Sequence, residues 1–157
     1  MRILGLDPGL ATLGFALVDV AGAPQLFDYG IIQTAKHQPL GDRLHTLFTD
    51  LHHVIAENAP TCVAIEKLFF YRMGNLIAVA QARGVVLLVL HQRQLPIQEF
   101  SPPQIKQALT GRGNANKQDV RAAVMREFGL QHPPQPDDAA DAIAIALTGC
   151  FHQGAIA

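Results

Sequence analysis

Acidic residues stand where three predicted elements of this chain begin or end. Asp7 follows an apolar run and precedes a Pro-Gly turn, and Glu66 closes the short apolar run at residues 62–65. Asp138 and Asp141 lie three residues apart in a helix rich in alanine, so they are neighbours on one helix face. Carboxylates brought together repel each other, and a divalent cation relieves that repulsion. The pattern therefore indicates a metal site.

The ligand types indicate which metal and which reaction. The chain lacks the Cys and His spacing that zinc prefers, whereas oxygen ligands favour Mg²⁺ or Mn²⁺. Two such ions held about 4 Å apart can activate water, orient a phosphate and stabilise the leaving oxygen of an in-line displacement. The sequence therefore predicts metal-dependent phosphodiester hydrolysis.

Each acid also has a purely structural interpretation. Asp137 or Asp138 after a proline is typical of a helix N-cap, and the helix dipole alone favours Asp141 in the first turn. Asp7 could be a turn residue and Glu66 a solvated strand end. Their joint occurrence favours an active site. Periodicity does not choose between Asp137 and Asp138, because both lie near the face of Asp141.

Hydrophobic periodicity predicts an α/β fold with a mixed five-stranded sheet flanked by helices. The predicted strands cover residues 1–7, 13–20, 25–34, 62–65 and 95–100. Short connections make the first three an antiparallel meander, and the helix before the fourth suggests a crossover connection. The predicted helices cover residues 40–57, 74–92, 104–109, 118–128 and the segment that starts at 137.

The helix at 74–92 is apolar on nearly all sides, so it must be covered all round. One face can pack on the sheet. The other face suggests a partner subunit, and the alternative is a central core helix in a monomer.

Length and composition predict a single domain over residues 1–157. The 49% apolar and 16% charged residues exclude a disordered chain. The longest apolar run is far too short for a bilayer span, which argues against a membrane protein. The two cysteines follow no metal or redox spacing and are interpreted as reduced thiols of a cytoplasmic protein.

Charge is unevenly distributed along the chain. Residues 67–126 hold nine basic groups against two acids, a net charge of +7, whereas the remainder holds three basic groups and eleven acids, a net charge of −8. This asymmetry suits a protein with one side facing a polyanion and a separate carboxylate cluster. The alternative is an ordinary set of solvated helix faces.

Four motifs give the chain a family resemblance: LGLDPGLATLGFAL, AIEKLFFYR, GRGNANKQDV and DDAADAIAIALT. In this order and spacing, which cover nearly the whole chain, it resembles the bacterial RuvC Holliday junction resolvases. The resemblance implies an RNase H-like fold, a homodimer and Mg²⁺-dependent nicking of two opposed strands of a four-way DNA junction. It also implies a branch-migration helicase complex of RuvA and RuvB as partner.

The resemblance assigns the site position by position. It makes Asp7, Glu66, Asp138 and Asp141 the metal-binding catalytic acids, and so favours Asp138 over Asp137. The implied DNA-binding residues are Phe69, Lys106, Arg112 and Lys117.

Phe69 matches the aromatic residue that relatives insert near the junction crossover, where stacking on an unpaired base contributes about 1–3 kcal/mol. Phe70 and Tyr71 stand beside it, and core packing is the alternative for one of the three. A lone lysine is usually just solvated, which is the alternative for Lys106 and Lys117.

Two features depart from the family. Lys67 stands where many relatives have glutamine, and no basic tail follows the last helix. Three rival functions are a YqgF-type RNase H-like nuclease, a nucleotide-binding module of the actin and sugar-kinase type, and a junction-binding protein that does not cleave. The Phe69 segment and the Gly-Arg-Gly loop favour the resolvase over the first rival, and 157 residues are too few for the second.

Overall fold

The computed structural model describes residues 1–68 and 76–153. Its sheet has the strand order β3-β2-β1-β4-β5. The strands are β1 (Arg2–Asp7), β2 (Thr12–Val20), β3 (Pro24–Gln33), β4 (Cys62–Glu66) and β5 (Ile97–Phe100). The first three strands are antiparallel, whereas β4 runs parallel to β1 and β5 parallel to β4. The predicted mixed sheet is therefore confirmed.

Within the described ranges, five helices cover the two faces of this sheet. They are α1 (Leu40–Asn58), α2 (Leu76–Gln92), α3 (Pro102–Thr110), α4 (Lys117–Phe128) and α5 (Asp137–Phe151). Successive residues of a strand point to opposite faces, so Leu4 packs in the core with α1 and α2 while Ile3 packs in the core with α3, α4 and α5. No helix in residues 1–68 and 76–153 is long and apolar enough to cross a membrane.

The short helices α3 and α4 start at capping boxes. Ser101 and Asn116 each accept a hydrogen bond from the backbone three residues later, and the side chain there bonds back to the cap. Gly111 and Gly129 end these helices in the left-handed conformation, which glycine adopts without steric cost. Local sequence thus determines where each of these two helices begins and ends. Lys106 lies on α3, and Lys117 is the first residue of α4.

Helix α5 lies unusually close to the sheet. A Cβ atom at Gly5 would overlap the carbonyl oxygen of Ala142, and one at Gly14 would overlap that of Asp138. Close approach of two backbones requires the absence of side chains between them. Glycines on β1 and β2 therefore bring the first turns of α5, and their acids, against the sheet.

Helix α2 is buried on one face only. It packs Ala82, Val86 and Val89 into the core it shares with α1, whereas Ile77 and Leu88 are 76% and 50% exposed. In the single chain α2 is therefore not the fully enclosed core helix that was one of the two predicted arrangements. An apolar stripe on its outer face has no cover within the described residues.

Candidate active site

The sheet topology places two of the predicted acids together. Asp7 ends β1 and Glu66 ends β4. Because these strands are parallel neighbours, their carboxyl ends lie at the same edge of the sheet. A cavity of about 280 Å³ at this edge is lined by Asp7, Glu66 and Asp141 together with Lys106 and Lys117. Five of the predicted site residues therefore meet in one cavity.

Asp138 lies one helical turn before Asp141 and lines a neighbouring cavity of about 500 Å³, on the side of the loop that follows β1. It still belongs to the same electrostatic cluster. Burial raises the pKa of Asp7 to about 8, and the repulsion of Glu66, Asp141 and Asp138 adds to the shift, while Lys117 opposes it. The negative charges of the other three acids therefore all act on Asp7.

Burial also raises the pKa values of two further acids. At Glu66 the charge of Asp141 adds to the effect of burial, and Lys106 opposes it. At Asp138 burial is again the main cause, with Asp141 adding and Lys117 opposing. Three carboxylates are thus held where they ionise less readily than in water, which is the condition that a bound cation relieves.

Arg83 of α2 holds the end of strand β4. Its Nη1 donates a 2.6 Å hydrogen bond to the carbonyl oxygen of Glu66, and its Nη2 lies 3.2 Å from Glu99 Oε2. Arg83 was not among the predicted site residues. Its signal was an arginine within a helix that is otherwise almost wholly apolar, since a charge on such a helix needs a partner.

The contacts of Lys117 distinguish Asp137 from its neighbour Asp138. Its Nζ lies 3.1 Å from Asp141 Oδ2 and 3.5 Å from Asp137 Oδ2, and Asp137 also pairs with Arg121. Burial alone would lower the pKa of Lys117, but the hydrogen bond and charge of Asp141 and the charge of Asp137 raise it. Asp138 forms no ion pair among the described residues, so it is the one available to a cation.

The donor set fits a hard divalent cation, because every acid offers carboxylate oxygens only. As the side chains stand, no three Asp, Glu, His or Cys groups among the described residues converge tightly enough to hold one ion. Mutual repulsion and the ion pair between Lys117 and Asp141 account for this spacing. A cation would have to draw the carboxylates inward and displace Lys117.

Of the predicted DNA-binding residues that the structure describes, Arg112 is not part of this cavity. Arg112 lies 3.2 Å from Asp119. It lines a separate cavity, which Lys106 and Lys117 do not line. Phe69 lies outside the described residues. Not every basic residue of the segment 67–126 faces the acids. Arg93 lies near the opposite sheet edge and bonds to His52.

Comparison with known proteins agrees with this geometry. Residues 3–149 match the family model described as "Crossover junction endodeoxyribonuclease RuvC". A protein of that name from Gloeobacter violaceus is 55% identical, covering 97% of this chain and 89% of its own, and one from Synechococcus sp. (strain WH7803) is 54% identical, covering 98% and 100%.

Among solved structures, Thermus thermophilus RuvC superposes with a TM-score of 0.92 at 34% identity, covering 99% of this chain and 96% of its own. The same protein in complex with a Holliday junction substrate gives 0.91 at 36% identity, covering 98% and 94%. The RNase H-like fold is thereby confirmed. The chain belongs to the RuvC family of crossover junction endodeoxyribonucleases.

Proposed function

We propose that this chain resolves four-way DNA junctions by metal-dependent hydrolysis, nicking two opposed strands and leaving 5′-phosphate and 3′-hydroxyl ends. The observation that carries this proposal is the convergence of acids on Asp7 in a cavity that also holds two lysines. The relative from Thermus thermophilus, whose structure is described as a complex with a Holliday junction substrate, supports the choice of DNA.

In the proposed mechanism, Asp7, Glu66, Asp138 and Asp141 would hold Mg²⁺ or Mn²⁺, with two ions proposed per site. When bound, such ions activate water and stabilise the departing 3′ oxygen. Lys117, which is paired with Asp141 in the structure, would bind a phosphate oxygen of the DNA backbone once that pair is exchanged.

Lys106, which lines the same cavity, contributes a second cation for the DNA backbone. Phe69 stacks on a base near the crossover. Arg112 acts as a more distant backbone contact, for which it must exchange its pair with Asp119. These contacts make binding weaken steeply as salt rises.

The outer face of α2 supports a homodimer. Ile77, Ala80, Gly84 and Leu88 follow helical spacing and are all exposed, and the small residues in the middle let a second helix approach closely. A twofold axis through this stripe would give a twofold junction two equivalent active sites. The family relationship also suggests RuvA and RuvB as partners and a cytoplasmic location, with the whole of residues 1–157 acting as one domain.

Cleavage of a labelled four-way junction tests the assignment of the acids. Asp138→Asn and Asp141→Asn should lose at least about a hundredfold in single-turnover rate while retaining junction binding, because each removes a cation ligand. Asp137→Asn is the matched control, since Asp137 is exposed and paired with α4. Its rate should stay within a few-fold of wild type. An Asp137→Asn rate as low as that of Asp138→Asn would overturn the assignment.

The dimer is tested separately by light scattering. Leu88→Glu should convert a mass of two chains into a mass of one at micromolar concentration, because a buried unpaired carboxylate opposes association. Asp50→Asn, on the exposed face of α1, is the control and should stay dimeric. A wild-type mass equal to one chain would remove the proposed interface.

A further inference from the structure

Apart from Asp138, the residues that line a second cavity beside the acids have no role in the mechanism above. This cavity encloses about 500 Å³ and lies between residues 9–12, which follow β1, and the first turn of α2. Among the residues that the structure describes, two basic side chains, Lys36 and Arg43, line it together with one acid, Asp138. Its composition differs from that of an apolar core pocket and suits an anionic ligand that must approach Asp138.

Arg43 is fixed in this cavity by a chain of hydrogen bonds. Its Nε donates to Thr34 Oγ1 at 2.9 Å, and that hydroxyl donates to the carbonyl oxygen of Leu10 at 2.5 Å. Thr34 is 7% exposed, and its backbone nitrogen donates to the carbonyl oxygen of Ala11 at 3.0 Å. The guanidinium is therefore tied to the loop that begins directly after Asp7.

The anchored guanidinium keeps its recognition surface free. Only Nε is used by Thr34, and within residues 1–68 and 76–153 neither terminal nitrogen has a hydrogen-bond acceptor. In the same ranges neither Arg43 nor Lys36 forms an ion pair, in contrast to Arg2 with Asp19. Two parallel N–H donors from a fixed arginine match two oxygens of one phosphate.

The two cavities flank the acid cluster. Lys106 and Lys117 lie in one and Arg43 and Lys36 in the other, with Asp141 and Asp138 on the same helix face between them. A DNA strand that crosses the acids would therefore meet cations before and after the scissile phosphate. We infer that Arg43, assisted by Lys36, binds a backbone phosphate of the cleaved strand next to the scissile one, on the side away from Lys117. This inference rests on the proposed function.

Junction binding at several salt concentrations tests the inference. An Asp141→Asn background prevents cleavage during titration by fluorescence anisotropy. Arg43→Ala should weaken binding about tenfold, the usual effect of losing one charge-assisted contact, and should lower the slope of log affinity against log salt by about 1. Cleavage by Arg43→Ala in the native background should show a raised KM at nearly unchanged kcat. Thr34→Val keeps the charge of Arg43 but removes the hydrogen bond that fixes its side chain. This variant should therefore lose less junction affinity than Arg43→Ala.

Arg93→Ala is the matched control. Arg93 follows α2 and precedes β5, so it lies near the sheet edge opposite the acids, where it bonds to His52. It should bind and cleave like its parent. Lys36→Ala provides a second variant without a packing role, since Lys36 is exposed, and should lose a smaller factor with the same fall in salt slope.

The outcomes separate the two proposals. If the parent proteins bind and cleave the junction but Arg43→Ala and Lys36→Ala behave like Arg93→Ala, this inference is overturned and the proposed function stands. If wild type neither binds nor cleaves a junction with any divalent cation, both are overturned. The melting temperature of each variant shows whether a loss of affinity reflects a loss of folding. If Arg43→Ala does not fold, the junction affinity of Lys36→Ala tests the inference.

Discussion

Asparagine at position 7 should stabilise the cation-free protein at alkaline pH, although it removes a proposed metal ligand. Asp7 is half-buried and lies among three other acids, so its ionised form is held in an unfavourable environment. Asparagine has the same shape and no charge. Cation-free Asp7→Asn at pH 8.5 should therefore resist urea better than wild type.

The magnitude follows from the pKa of Asp7, which rises from 3.8 in a model compound to about 8 in the folded chain. A shift of roughly 4 units at about 1.4 kcal/mol per unit gives an upper limit of about 6 kcal/mol. Solvent access and rotation of the neighbouring acids reduce it, and we expect about 2–3 kcal/mol.

The sign follows from proton linkage. Between pH 4 and pH 8 the unfolded chain has lost the Asp7 proton that the folded chain retains, so wild-type stability falls as pH rises through this window. The fall ends above about pH 8, where both states are ionised. The advantage of Asp7→Asn should therefore be small at pH 4.5, grow up to pH 8 and then stay constant.

Urea unfolding followed by circular dichroism, with a chelator and at one protein concentration, measures this difference. Asp50→Asn is the control, because Asp50 is exposed on α1 and forms no ion pair among the described residues, and it should match wild type at every pH. An Asp7→Asn protein that is less stable than wild type at pH 8.5, or an advantage that does not vary with pH, would refute the account of the acid cluster.

Three further predictions concern packing, positioning and cation binding. Gly5→Ala should cost about 2–3 kcal/mol in urea unfolding, because the new methyl group overlaps α5, whereas Gly41→Ala, in open space on α1, should change stability by less than about 1 kcal/mol. Arg83→Met should slow junction cleavage about tenfold at nearly unchanged junction affinity, because it frees the Glu66 carbonyl; equal losses in binding would contradict a positioning role. Millimolar Mg²⁺ at pH 8 should raise the melting temperature of wild type more than that of Asp7→Asn, and equal rises would place the ion elsewhere.

The sequence predicted the sheet and the placement of two acids because both depend on local pattern and simple topology. Continuous apolar runs in β1 and β2 mark strands that are buried on both faces, and parallel neighbours put Asp7 and Glu66 at one edge. The helix that carries Asp138 and Asp141 is visibly rich in alanine, and it crosses the sheet where Gly5 and Gly14 leave room for its backbone. These features need no knowledge of distant side chains.

Other features depend on contacts between distant segments. Arg83 reaches the Glu66 carbonyl, and Arg43 reaches Thr34, only once α1 and α2 have packed on the sheet. The exposed face of α2 could not be chosen from the sequence, because a helix that is apolar all round has no phase. The partner of Arg112 likewise depends on how the loop before α4 folds back on that helix.

A cleavage assay shows whether the acid cluster cuts DNA junctions. A synthetic four-way junction, labelled in turn on each strand, is incubated with purified wild-type protein and either Mg²⁺ or a chelator. We expect nicks at symmetric positions on two opposed strands, with ligatable ends, and we expect no nicks with the chelator or with Asp141→Asn. Junction binding without cleavage under any divalent cation would contradict this expectation.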